Sequence, residues 1–112
     1  MNLETIVKYL DIKCKCCWEK LEREVTGGYA GDLLSDVMGN SNSGNIWVTR
    51  QVHQNIVAVA ALKEHAGIII VHGAVPAKET IDKAEKEGIP IMVSEKPEFE
   101  VVGKIYHLMH YE

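Results

Sequence analysis

No apolar run in these 112 residues reaches the roughly 18 that a membrane-crossing helix needs. The basic residues are scattered, without the cluster or stripe that nucleic-acid binders carry. With 16 acids against 12 bases the net charge is −4. Neither a membrane nor a nucleic acid is an expected partner. The opening MNLETIVKYLDIK has an early acid and no basic stretch, so it does not read as a secretory leader. Cysteine is scarce. Three of them, with two adjacent, make no disulfide framework, and a reducing cytoplasm is the expected setting.

Catalytic signatures are also missing. A P-loop needs glycines that let backbone amides cradle phosphates, followed by Lys and Ser or Thr. The stretches GNSNSGN and GGYAGD have glycines and lack the lysine, and neither is G-x-G-x-x-G. Ser35 does not sit in a G-x-S-x-G elbow. Cys14, Cys16 and Cys17 lack the spacing of paired metal-ligating thiolates, and no second cysteine group completes a site. In a regular strand Cys14 and Cys16 share a face while Cys17 points away. His107 and His110, three apart, offer two more ligands, but nothing in the sequence ties them to the cysteines. The expectation is a non-enzyme with no cofactor, no stoichiometric metal and no ATP-dependent kinase activity.

What the chain does have is alternation. Asn2 caps a helix carrying Leu3, Ile6, Val7 and Leu10 on one stripe. Residues 12–16 alternate like a strand, and 18–24 read as loop. Residues 25–30 begin as a strand and run into glycines. Asp32 suits an N-cap for a helix through Met38, with Leu33, Leu34, Val37 and Met38 inward and Gly39 ending it. Residues 46–49 form a short strand, and 53–65 a helix apolar on most sides. The run GIIIV at 67–71 is of the buried parallel-strand type. Pro76 opens a helix carrying Ala77, Ile81 and Ala84, and Gly88 closes it. Residues 89–93 are another strand. Pro97 opens the last helix, with Phe99, Val102, Ile105, Tyr106 and Met109 on one side. Strand and helix alternating at this spacing predict one three-layer α/β/α domain with a mostly parallel sheet of about five strands.

Open sheets of this kind bind ligands at the carboxyl ends of their strands. Thr49, Arg50 and Gln51 follow one strand, with His53 and Asn55 opening the next helix, and His72 and Gly73 follow another strand. Arg50 offers a planar donor fork for phosphate or carboxylate. The bland alternative makes Thr49 and Gln51 helix caps and Arg50 a solvated charge. With Asp32, these residues form the candidate ligand site, suited to a small anion or a nucleotide. An apolar helix over 53–65, with Trp18 and Trp47 in or beside loops, predicts a homodimer.

The runs VTGGYAGDLLSDVMGN, IWVTRQVHQNIVAVA, GIIIVHGAVPAKETIDKAEKEGIPIMVS and FEVVGKIY resemble the DRTGG domain family, in particular its small stand-alone members. The resemblance covers about residues 25–108, and Glu24-Val25-Thr26-Gly27-Gly28 keeps part of the string that names the family. It implies a fold like the N-terminal domain of HPr kinase/phosphorylase and the uridine-nucleotide-binding N-terminal domain of Mur ligases. It also implies a non-catalytic accessory role, since DRTGG domains accompany CBS domains in regulatory proteins. The Mur-ligase likeness places a ligand near the Asp32 turn and residues 49–55. Stand-alone members occur near iron-only hydrogenase genes. Two function classes therefore stand. One is a ligand-sensing regulatory module. The other is a protein–protein accessory factor for a redox enzyme such as iron-only hydrogenase, binding no small molecule.

Overall fold

A computed structural model describes residues 1–111. Its elements run α1 (Leu3–Leu10), β1 (Lys13–Cys16), a single 3₁₀ turn (Trp18–Lys20), β2 (Gly27–Ala30), α2 (Leu34–Asn40), β3 (Asn45–Thr49), α3 (Asn55–Leu62), β4 (Gly67–Ile70), α4 (Lys78–Glu87), β5 (Ile91–Val93) and α5 (Glu98–Tyr111). The five strands form one sheet in the order β1-β5-β4-β3-β2. The pairs from β2 to β5 are parallel and β1 is antiparallel to β5.

Pleating sorts the strand side chains between two helical layers. Ile46 and Val48 of β3, Ile69 of β4 and Met92 of β5 pack with Leu3 and Ile6 of α1 and Val101, Ile105 and Leu108 of α5. Their neighbours Trp47, Ile68, Ile70 and Ile91 pack the other way, against Val37 of α2, Ile56, Val57 and Ala60 of α3, and Ala84 of α4. The domain is the expected three-layer α/β/α sandwich with a mostly parallel five-stranded sheet.

Asn2 caps α1 as expected, accepting from the Thr5 amide at 3.0 Å. Several local expectations need correction. Asp32 does not cap α2. Leu33 stands at that position with no side-chain cap bond, and the helix runs through Gly39 to Asn40. Of its expected inward residues only Val37 is fully buried, and Leu33 is exposed. The helix over 53–65 is shorter, Asn55–Leu62, and Leu62 faces solvent. In α5 the stripe is rotated: Val101, Ile105 and Leu108 are buried while Phe99 is 92% exposed. Trp47 lies within the expected strand but offers no surface for self-association. It lies mid-strand in β3, wholly buried, and its indole N–H donates to the Gly31 carbonyl at 2.9 Å. Among the described residues no helix is long and apolar enough to cross a membrane.

The connections decide where a ligand can enter. Three successive crossovers place α2, α3 and α4 on one face, whereas β5 leads into α5 on the other. Neighbouring strands β4 and β5 thus send their chains to opposite faces. This is the switch point at which open α/β sheets form a crevice, and it lies over the carboxyl ends of β4 and β5.

Candidate functional site

Asp32 organises the carboxyl edge from the turn after β2. One carboxylate oxygen accepts from the Thr49 hydroxyl and from the Arg50 backbone amide, each at 2.7 Å. Its backbone carbonyl accepts from the Gln51 side-chain amide at 3.0 Å. Thr49, wholly buried at the end of β3, also accepts from the Gln51 amide at 3.2 Å. The turns after β2 and β3 are locked together, because parallel pairing brings Ala30 beside Val48 and so ends the two strands level.

At the switch point the turn after β4 is pinned to the turn after β5. His72 and Gly73 both have positive φ, 64° and 68°. Such a conformation is cheap for Gly73 and sparse for His72. The His72 amide donates to the Lys96 carbonyl and the Gly73 amide to the Ser94 carbonyl, each at 2.9 Å. The Glu98 amide donates to His72 Nε2 at 3.1 Å. Burial pushes the Glu98 carboxyl above its usual range. Asp32 adds to the rise, while His72 and Arg50 oppose it. Four charged or polar groups, one after each parallel strand, therefore share one field: Asp32, Arg50, His72 and Glu98.

Six of the eight candidate residues lie in these turns: Asp32, Thr49, Arg50, Gln51, His72 and Gly73. His53 and Asn55 do not join the network. Both are exposed where α3 opens, and neither side chain takes part in a hydrogen bond among the described residues. Sequence reasoning missed Ser94, Lys96 and Glu98. Their one signal was Pro97, which marks a helix opening straight after a strand and hence a further carboxyl-edge turn.

A cavity also lies away from this edge. A groove of about 540 Å³ runs between β2, β3 and α5, lined by Gly28, Ala30, Ile46, Val48, Ile105 and Tyr106 among others. It is mainly apolar and carries none of the carboxyl-edge groups.

One buried pair imitates a nucleophile with its base. Ser41 Oγ and His65 Nε2 are 2.8 Å apart, but Ser41 also donates to the Val37 carbonyl at 2.6 Å. With its proton so used, Ser41 accepts from His65 Nε2–H, the reverse of activation. Both residues are buried, and His65 Nδ1 has no partner among the described residues. Burial, with nearby Lys63, pushes the imidazole down to about 4. The pair ties α2 to the chain entering β4.

The cysteines also depart from expectation. The register of β1 on β5 slips between Cys14 and Cys16, and Cys17 is left-handed at φ 59°. Cys14 packs with the α1–α5 layer, whereas Cys16 and Cys17 both join the α2–α4 layer. Cys17 thus sides with Cys16 instead of pointing away from it. Burial pushes the Cys17 thiol up to about 12, so it is no nucleophile as it stands.

No family model and no curated protein sequence matches the chain. Among solved structures it is similar to the CBS and DRTGG domains of the regulatory region of Clostridium perfringens pyrophosphatase, complexed with its activator diadenosine tetraphosphate. The TM-score is 0.75 at 18% identity, over 93% of this chain and 45% of that one. The chain thus spans less than half the length of that structure. At this identity the likeness carries the fold, which is DRTGG-like.

Proposed function

We propose that the chain is a non-catalytic, ligand-sensing regulatory domain that binds a nucleotide at its carboxyl edge. The observation that carries the reading is the convergence of Asp32, Arg50, His72 and Glu98, from the connections after β2, β3, β4 and β5, at and beside the switch point. A nucleotide presents both kinds of group that this edge complements. Carboxylates accept from sugar hydroxyls or base amino groups, and the Arg50 guanidinium takes phosphate. The regulatory neighbour's nucleotide activator supports the choice of ligand class, and that structure gives a precedent for a DRTGG domain within a regulatory region. Kinase activity is not part of this reading. No glycine-rich loop followed by lysine stands at any strand end, and the Ser41–His65 pair runs in the wrong direction for catalysis.

Arg50 has an exposed side chain, and its structural bond uses its backbone amide. Arg50→Ala should therefore leave folding almost unchanged and weaken a nucleotide by about 1.5–3 kcal/mol, the range for a charge-assisted contact. Calorimetry with adenine and uridine nucleotides checks this. Equal affinity for wild type and Arg50→Ala would remove the guanidinium from the site.

A homodimer forms part of the proposal. Strand β2 is a sheet edge with unpaired backbone on its outer side, and exposed Trp18, Tyr106 and Tyr111 add apolar surface. Light scattering at micromolar concentration should give twice the monomer mass, and a monomer throughout would contradict it.

A second reading, docking of a partner protein, is favoured by one observation. Leu33, Val75 and Phe99 are all exposed in or beside the turns after β2, β4 and β5, around the same carboxyl edge. Under that reading, which includes an accessory role beside a redox enzyme such as iron-only hydrogenase, no nucleotide binds and Phe99→Ala abolishes partner capture.

A further inference from the structure

We propose that Cys16, Cys17 and Glu85 form a binding site for one thiophilic divalent cation of the zinc class. The site lies at the amino edge of the parallel sheet, because Cys16 pairs with Ile91 at the start of β5. It is therefore separate from the carboxyl-edge turns and independent of the function proposed for them.

Two backbone irregularities build it. The slip in register after Cys14 turns Cys16 toward the α4 layer, and the left-handed Cys17 brings the following side chain back to the same side. The Sγ atoms of Cys16 and Cys17 and a carboxylate oxygen of Glu85 then lie within 4.8 Å of one another. A tetrahedral zinc ion, with bonds of about 2.3 Å to sulfur and about 2.0–2.2 Å to oxygen, holds such donors roughly 3.5–3.8 Å apart. The donors therefore need to close by about 1 Å, and Glu85, exposed on α4, has room to move toward the thiols.

The two thiols already face each other and share a hydrogen bond, so a metal would replace a contact between them. Their other partners are backbone carbonyls, Ile89 for Cys16 at 3.6 Å and Ala84 for Cys17 at 3.4 Å, which a thiol bonds only weakly. The donor set combines buried sulfur with an exposed carboxylate, 0% and 1% exposure for the two cysteines, so the ion is shielded from one side and reachable from the other. A left-handed, buried, non-glycine residue is costly, and Cys17 carries that strain where a thiol is placed against a second thiol and an acid. Two thiolates and one carboxylate suit zinc, whose sites use these donors, better than magnesium or calcium, which take oxygen alone. Water completes the fourth position. Cys14, which packs with the opposite layer, is not a ligand.

The test uses the full chain, reduced, stripped of metal and kept anaerobic, titrated with Co(II) as a spectroscopic stand-in and then with Zn(II). The expected result is one equivalent of Co(II) per chain, a thiolate-to-cobalt charge-transfer band, and displacement by zinc. Cys17→Ser should lose the band. Glu85→Gln, at an exposed position that leaves folding intact, should weaken binding by at least about tenfold, the lower end of what even outer-shell losses cost. Cys14→Ser should bind as wild type does. No charge-transfer band in the folded wild-type protein, or unchanged affinity in Glu85→Gln, would overturn the proposal. Loss of binding in Cys14→Ser would overturn the ligand set.

Discussion

Between pH 6.5 and about 4 the protein should lose about 3 kcal/mol of stability at a single residue, His65. The ring is 1% exposed, packs edge-on against Trp47 at 5.6 Å, and is held neutral by burial and by Lys63. Its folded pKa lies below the unfolded value of 6.5, at about 4. In that window the unfolded chain binds the proton and the folded one refuses it. The contribution is therefore complete above 6.5, declines as pH falls, and is spent below about 4. Glu98 works in the opposite sense, since its raised pKa lets the folded state take up a proton first. Other carboxylates titrate near the acid end of the window, so the useful quantity is a difference between variants. Urea unfolding of wild type and His65→Leu across this range should show a stability gap that changes by about 3 kcal/mol, with His65→Leu the less sensitive to acid. Parallel pH profiles would show that the histidine does not titrate in this way.

Asp32→Ala should cost about 2–3 kcal/mol although the residue is only half-buried. The substitution removes the acceptor for the Thr49 hydroxyl and the Arg50 amide, and Thr49 is wholly buried. A buried donor without a partner costs more than a bond between two exposed groups gains. Asp32→Asn keeps an acceptor oxygen and should cost about 1 kcal/mol. The local readout is hydrogen exchange. The Arg50 amide should lose protection in Asp32→Ala and keep most of it in Asp32→Asn. A change below about 0.5 kcal/mol for Asp32→Ala, the level of an ordinary surface substitution, would mean the turns hold without it.

The legible parts of the fold were those with long, single-signature patterns. GIIIV reads as a strand buried on both faces, and Asn2 with the Leu3–Ile6–Val7–Leu10 stripe as a capped helix, and both form as read. Alternation of strands and helices then led to a parallel sheet. What the sequence hid were effects of neighbours far along the chain. Asp32 followed by apolar residues reads as a helix cap, yet its partners Thr49 and Arg50 are 17 and 18 residues away and become neighbours only when β2 pairs with β3. Glu98 meets His72 across 26 residues through the switch point. The stripe on α5 was misread because Phe99 and Tyr106 fall on a face that no layer covers. Cys17 was placed by strand alternation, which a slipped register and one left-handed residue cancel. His53 and Asn55 were grouped with the site by closeness in sequence, whereas the chain has already turned away into α3.

The central claim is that the carboxyl edge receives the ligand, and backbone chemical-shift mapping during titration with adenine and uridine nucleotides tests it most directly. Saturable shifts are expected at Asp32, Thr49, Arg50, Gln51, His72, Gly73 and Glu98, and they should be lost or much weakened in Arg50→Ala. Shifts confined to the groove between β2 and α5, or no shifts with any nucleotide, would contradict the account.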